Sequence, residues 1–218
     1  DRCKGGAGLD AAGCQTGRRG YNGRSALHWA SRNGHLHVMR WLLADSPDGC
    51  GLAVDNATAD GSTALNWAAW QGQVDAVELL LCCHADLHRV NSYGCDCALW
   101  ACQSPAEPVR VLAVCQLLAS PPRNASGLNF RRINHNGHSC LHKAAQRGNR
   151  RVCEWLAERA KLGKRSPHAE LLRPEHVAPD WEGHTPSKLA RLEGFDDLAD
   201  WLQTEVEPAV RAGMFVYA

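Results

Sequence analysis

One pattern, returning five times, constrains this 218-residue chain more than any other feature. Gly23-Arg24-Ser25-Ala26-Leu27-His28-Trp29-Ala30-Ser31 comes back as Gly61-Ser62-Thr63-Ala64-Leu65-Asn66-Trp67-Ala68-Ala69. It recurs as Gly94-Cys95-Asp96-Cys97-Ala98-Leu99-Trp100-Ala101-Cys102 and as Gly137-His138-Ser139-Cys140-Leu141-His142-Lys143-Ala144-Ala145. A weaker fifth copy is Gly183-His184-Thr185-Pro186-Ser187-Lys188-Leu189-Ala190-Arg191. The leading glycines are 38, 33, 43 and 46 residues apart. A period in this range means stacked supersecondary units, because one such unit cannot bury its apolar face alone.

Each copy has a second half. Val38-Met39-Arg40-Trp41-Leu42-Leu43 matches Ala76-Val77-Glu78-Leu79-Leu80-Leu81, Val152-Cys153-Glu154-Trp155-Leu156 and Leu198-Ala199-Asp200-Trp201-Leu202. In the third copy Ala113-Val114-Cys115-Gln116-Leu117 comes four residues late. Ser25, Thr63, Asp96, Ser139 and Thr185 form one column of helix-capping residues. The alanines behind them predict a short helix with a close-packed face. A glycine then ends that helix at Gly34, Gly72, Gly148 and Gly194, in a left-handed turn where a β-carbon is costly. The Val/Leu rows supply the apolar stripe of a second, antiparallel helix.

These residues resemble the ankyrin repeat family. Ser25-Ala26-Leu27-His28, Thr63-Ala64-Leu65, Ser139-Cys140-Leu141-His142 and Thr185-Pro186 are similar to its Thr-Pro-Leu-His signature. Asn33-Gly34-His35-Leu36 and Ala85-Asp86-Leu87-His88 are similar to its Asn-Gly-His-Leu and Gly-Ala-Asp-Val-Asn stretches. The resemblance covers roughly residues 20–202 and implies an all-α solenoid of about five helix-turn-helix units, with turn hairpins along one edge. Repeats are expected near 20–50, 58–86, 91–120, 134–158 and 180–202, with insertions near 45–50, 120–126 and 158–172. The last insertion, holding Lys161, Lys164, Arg165 and Pro167, is expected as an exposed loop or a short extra helix. Residues 1–19 form an N-terminal flank in which Gly8–Gly13 is similar to the end of an earlier repeat; with no initiator Met, the chain is expected to be truncated there. Residues 203–218 are expected as a tail.

Two departures from the family pattern carry structural expectations. The third copy has Gln103-Ser104-Pro105-Ala106-Glu107-Pro108 in place of the inter-helix Gly, which predicts a longer, irregular connection. Gly51 and Gly127 stand where the family has a Gly after its second helix, and the second copy has His84 there, at some backbone cost.

Composition limits the function. With 24 Lys+Arg against 23 Asp+Glu the formal charge is +1, which argues against nucleic-acid coating and against an acidic-tail function. The short runs Arg18-Arg19, Arg131-Arg132 and Arg150-Arg151 read as solvated surface. No apolar run reaches the 18 residues of a membrane span, and the first residues hold no signal region. The 11 cysteines, an odd number, then imply a reducing, intracellular location, cytoplasmic or nuclear.

Cys82-Cys83-His84, Cys95-x-Cys97-x4-Cys102 and His135-x2-His138-x-Cys140-x-His142 suggest metal ligands until the repeat register is applied. Cys97 and Cys140 occupy the position of Ala26 and Ala64, while Cys102 and Cys153 replace an Ala and a Val, so all four act as small apolar fillers. Cys3, Cys14, Cys50, Cys82, Cys83, Cys95 and Cys115 fall at tails, loops or exposed positions. No Cys-x2-Cys pair occurs, so no metal or other cofactor is expected. His28 and His142 match the signature His, whose ring, by the resemblance, satisfies backbone groups of a neighbouring turn. Phosphate loop, nucleophile elbow and paired carboxylates are absent as motifs, so no catalytic residue and no enzyme activity are expected.

The resemblance places partner binding on a concave groove, lined by residues around the turn Gly and just before the inter-helix Gly. Mapped here, these are Tyr21, Asn22, Arg24, Arg32 and Asn33; Asp60, Ser62, Trp70 and Gln71; Ser92, Tyr93, Cys95 and Gln103; His135, Asn136, His138, Gln146 and Arg147; and Trp181, Glu182, His184 and Glu193. Trp29, Trp67 and Trp100 share one column of the first helix, and Trp41, Trp155 and Trp201 share one of the second. All six are expected as buried framework, leaving Trp70 and Trp181 as candidate anchors. The function implied is non-catalytic protein–protein recognition by a monomeric scaffold, its partners one or more proteins rather than nucleic acid or membrane. The alternatives are a targeting segment of a larger enzyme, of ubiquitin-ligase or kinase type, and a Cys/His metal or redox sensor.

Overall fold

The computed structural model describes residues 20–46, 49–122, 126–161 and 172–212. The helices follow one another in pairs: α1 (Ala26–Asn33) with α2 (Leu36–Leu43), α3 (Ala64–Trp70) with α4 (Val74–Cys82), and α5 (Cys97–Cys102) with α6 (Pro108–Ala119). They continue with α7 (Cys140–Gln146) and α8 (Arg150–Lys161), then α9 (Pro186–Leu192) and α10 (Asp196–Trp201). Helices of six to nine residues, such as α1–α5, are too short to persist alone in water. Stacking holds them: α1, α3, α5, α7 and α9 pack in series as an inner row, and α2, α4, α6 and α8 as an outer one.

The inner helices begin as their sequence column predicts. The side chains of Thr63, Asp96, Ser139 and Thr185 accept the backbone N–H three residues on. Between pairs, tight hairpins line one edge: Thr58, Asn91, Asn134 and Asp180 donate their N–H groups to the carbonyls of Ser62, Cys95, His138 and His184. Adjacent hairpins are bonded too, Ala59 to Asn22, Ser92 to Asp60, His135 to Tyr93 and Trp181 to Asn136, at 2.8–3.2 Å. Leu27, Leu65, Leu99 and Leu141 from the inner row meet Met39, Leu42, Val77, Leu80, Val114 and Leu118 from the outer row in one continuous core.

The third pair has a five-residue connection, 103–107, where the others have two or three. Pro108 then starts α6, where its missing N–H costs nothing. This late start sets the register of α6, and Val111, Val114, Cys115 and Leu118 form its buried stripe. Cys115, expected exposed, is therefore fully buried, beside the thiols of Cys102 and Cys140.

Gly51 and His84 both adopt left-handed backbone after their helices (φ 57° and 62°). Gly127 does not. It is needed for space, since a β-carbon there would lie 1.9 Å from the Ala119 carbonyl oxygen.

Two further expectations are corrected. Residues 203–212 are not a tail: the chain continues from α10 through a π-helical turn, Leu202–Val206, into α11 (Glu207–Arg211). The reason is burial, because Val206 and Val210 sit in the core and the Glu207 carboxylate accepts the Ser187 N–H at 2.8 Å. Likewise Trp29 and Trp41 are not buried framework, remaining 42% and 41% exposed. Trp29 lies at the groove face, edge-to-face with Trp67 (5.4 Å between centroids) and with Arg24 and Arg32 over its ring. Trp41 lies in the outer row, away from the core contacts of Met39 and Leu42. Trp100, Trp155 and Trp201 are half-buried, and Trp67 alone of the six is buried outright. Cys3, Cys14, most of the 158–172 insertion (162–171) and Met214-Phe215-Val216-Tyr217 lie outside the described residues.

Candidate functional site

Four of the five hairpins are stapled by a side chain three residues before the glycine; the first has Gly20 there. The Asn91 carboxamide oxygen accepts the N–H groups of Tyr93 and Cys95 at 3.1 and 3.0 Å. Asn134 does the same for Asn136 and His138, and Asp180 for Glu182 and His184. In the second copy Thr58 Oγ accepts the Ser62 N–H at 3.1 Å and also bonds Asp60. This buried column was legible as Thr, Asn or Asp at a fixed offset from the last four turn glycines, residues whose short side chains close such turns. It fixes where the intervening residues point.

Histidines lock hairpins to helices. His28 Nδ1 accepts the Ser25 N–H at 3.2 Å, so its Nε2–H is free to donate to the Ser62 carbonyl at 3.2 Å in the next repeat. His142 repeats this with Ser139 and the Ala178 carbonyl, at 3.3 and 3.0 Å. Both rings are fully buried, and burial pushes the His142 pKa down to about 4. Asn66 takes the first half of the role in the second copy, its carboxamide oxygen accepting the Thr63 N–H at 2.8 Å. A third histidine, His176, was missed by the repeat register. It follows Arg173 at the same three-residue spacing, behind Pro174, and its Nδ1 accepts the Arg173 N–H at 2.8 Å while Nε2–H donates to the Arg131 carbonyl at 3.1 Å. Burial lowers its pKa too.

With these anchors fixed, the predicted groove residues separate. Tyr21, Asn22, Ser92, Tyr93, His135, Asn136, Trp181 and Glu182 are exposed at the hairpin tips, Tyr93 at 62% and Trp181 at 81%. Arg24, Asp60, Cys95, His138 and His184 are half-buried on the inner side of the turns. Ser62, expected at the surface, is buried: its hydroxyl donates to Asp60 at 2.8 Å and accepts from Asn91 at 3.2 Å. At the helix ends Arg32, Trp70, Gln71, Gln103 and Gln146 are half-buried, and Asn33, Arg147 and Glu193 are exposed.

Trp70 packs its edge against Trp100, with centroids 6.2 Å apart, and Arg32 lies over its ring at 5.3 Å. Arg24 and Arg32 also stand over Trp67, at 4.9 and 5.7 Å. Such cation–aromatic contacts order long side chains that would otherwise be free. Six of the predicted residues, Trp70, Tyr93, Cys95, Gln103, Asn136 and Arg147, meet around one pocket of about 320 Å3, with Asn91, Trp100, Asn134 and Lys143 completing it. Arg147 is aimed there by its Nε–H, which donates to the Gln103 carbonyl at 2.9 Å, across the repeat that lacks the inter-helix Gly. Tyr21, Asn22, Asn33, Trp181, Glu182 and Glu193 lie apart from this pocket.

Lys143 and Trp100 were not among the predicted groove residues. Lys143 stands six residues after its turn Gly, where the first three copies have Trp29, Trp67 and Trp100. That substitution in the aligned column was the available signal. The pocket holds two cations and no carboxylate. Burial lowers the Lys143 pKa and raises that of the neighbouring Cys95 thiol. Among the described residues no three His, Cys, Asp or Glu side chains converge to hold a metal ion, and no helix is long and apolar enough to cross a membrane.

Comparison with known proteins agrees with this architecture. A family model described as "Ankyrin repeats (3 copies)" matches residues 7–91, and one described as "Ankyrin repeat" matches residues 136–166. A stretch of 72 residues, 33% of this chain, is 35% identical to the Palmitoyltransferase Hip14 of Drosophila melanogaster and covers 10% of that protein. The chain thus spans a small part of this relative. Stacked helix pairs, hydrogen-bonded hairpins and the two family matches make the chain a member of the ankyrin repeat family, whose repeats serve generally as protein-interaction modules.

Proposed function

We propose that this chain is a non-catalytic recognition scaffold, binding a partner protein along the groove formed by its inner helices and hairpins. The observation that carries the reading is the aromatic pocket, in which Trp70 from α3, Tyr93 from a hairpin and Trp100 from α5 meet the polar side chains of Gln103, Asn136, Lys143 and Arg147. Aromatic anchors with a polar rim are the usual composition of a recognition hot spot. The pocket's one thiol, Cys95, is raised in pKa by burial, which makes it a poor nucleophile and supports a binding role over a catalytic one. Buried thiols that replace alanine and valine in the core support a reducing, intracellular setting. The array is read as monomeric.

The test is quantitative recovery of partners by proximity labelling and pull-down, comparing wild type with Trp70→Ala and Tyr93→Ala. Each change is expected to weaken binding by about 2 kcal/mol while the helical circular dichroism is retained. Equal recovery by correctly folded variants sinks the groove reading. A second reading, the targeting segment of a larger enzyme, is favoured by the likeness to part of a palmitoyltransferase. A full-length transcript without any further domain removes it.

A further inference from the structure

Lys143 breaks the tryptophan column on the groove floor. Its residue is 7% exposed, and its ammonium has no hydrogen-bond or ion-pair partner among the described residues. The carboxylate whose charge acts on it, Asp180, is bonded to His138 at 2.9 Å rather than to Lys143. The stem is buried while the ammonium opens into the pocket with no ion-pair partner of its own, in a column where the second copy has a packed tryptophan. The second cation of the pocket, Arg147, is held by one guanidinium N–H, leaving the rest of the fork unassigned. Between them the walls are aromatic, and the rim carries the amides of Gln103 and Asn136.

We propose that this pocket takes an acidic side chain of a partner peptide, its carboxylate bonding to Lys143 and Arg147 while neighbouring apolar atoms of the peptide pack on Trp70 and Trp100. The assignment rests on the recognition reading above and names the chemistry of its partner. A volume of about 320 Å3 fits one or two side chains rather than a folded surface. A carboxylate supplies the missing ion-pair partner, and its charge-assisted bonds strengthen as the bound peptide excludes water from the pocket.

The test starts from a random peptide library selected on the full chain. Selected peptides are expected to share Asp or Glu next to an aliphatic or aromatic residue. In fluorescence anisotropy, changing that acid to its amide should weaken binding to wild type about tenfold or more. The same change should cost almost nothing against Lys143→Met, which keeps the stem volume and whose fold is checked by thermal melting. Arg147→Gln, at an exposed position, serves as the second variant. Peptides without an acidic preference that still depend on Trp70 overturn the carboxylate assignment but leave the groove reading standing. Selection of no peptide, or of peptides indifferent to Trp70, overturns both. Inorganic phosphate or a single-stranded oligonucleotide displacing the peptide as well as free competitor peptide does would also overturn the assignment.

Discussion

Acid should destabilise this array through His142, and the size of the effect follows from its surroundings. The ring is wholly buried, Nδ1 is occupied by the Ser139 N–H, and burial pushes its pKa to about 4. An unfolded chain has an ordinary histidine, with a pKa of about 6.5. Since the folded value is the lower one, the stabilisation is fully present above about pH 6.5 and is lost as pH falls toward 4, because only the unfolded state takes up the proton. At about 1.4 kcal/mol per unit, the loss across that window is roughly 3 kcal/mol. Urea unfolding followed by tryptophan fluorescence at a series of pH values measures it. The control is His142→Asn, chosen because Asn66 fills the same position in the second repeat and its carboxamide oxygen accepts the cap N–H there. This variant should lose about 1 kcal/mol at pH 7.5, through the missing bond to the Ala178 carbonyl. Its stability should then fall less steeply, by close to one proton's slope, between pH 6.5 and 4. Groups remote from His142 titrate alike in both proteins and cancel in the difference, whereas His138 and Asp180, whose charges act on His142, contribute to it. Parallel pH profiles would refute the argument.

Three stability predictions follow from the packing. Trp67→Ala should cost roughly 3–5 kcal/mol in chemical denaturation, and Trp29→Ala, half-exposed at the groove, roughly 1–2 kcal/mol; equal losses would contradict the distinction. Gly127→Ala should cost about 1–3 kcal/mol because its β-carbon meets the Ala119 carbonyl. Gly183→Ala, with φ +78° but open space around it, should cost only about 1–2 kcal/mol from backbone strain, both read from urea midpoints. Ending the chain after Leu202 should remove about 3 kcal/mol or more, since Val206, Val210 and the Glu207 bond to Ser187 are lost together; an unchanged midpoint would return residues 203–212 to the role of a tail.

Much of the fold was legible because each element announces itself locally. Ser25, Thr63, Asp96, Ser139 and Thr185 mark helix starts, and Gly34, Gly72, Gly148 and Gly194 mark their ends. The misplacements share one cause. A column shared by Trp29, Trp67 and Trp100 says that these residues occupy equivalent sites, but not how much of each ring a neighbour covers. Coverage depends on side chains from other copies, such as Arg24 and Arg32. Cys115 was misread because the register of α6 is set by its connection, and the helix entered its stripe later than alignment to the other copies implied. The candidate site was half legible. The positions of Trp70, Tyr93, Gln103, Asn136 and Arg147 came from the repeat, whereas their meeting in one pocket depends on stacking between copies.

The amino-acid sequence alone thus determined the repeat, its helix pairs, their caps and their order, since these follow from residue chemistry at fixed spacing. Only the tertiary structure decided which tryptophans are core and which are groove, that residues 203–211 continue the array as helix, and that Lys143 faces the aromatic pocket without an ion-pair partner. Those properties are set by distances between residues some 30 to 45 apart in the chain, where burial and charge depend on which neighbours the stacking brings near.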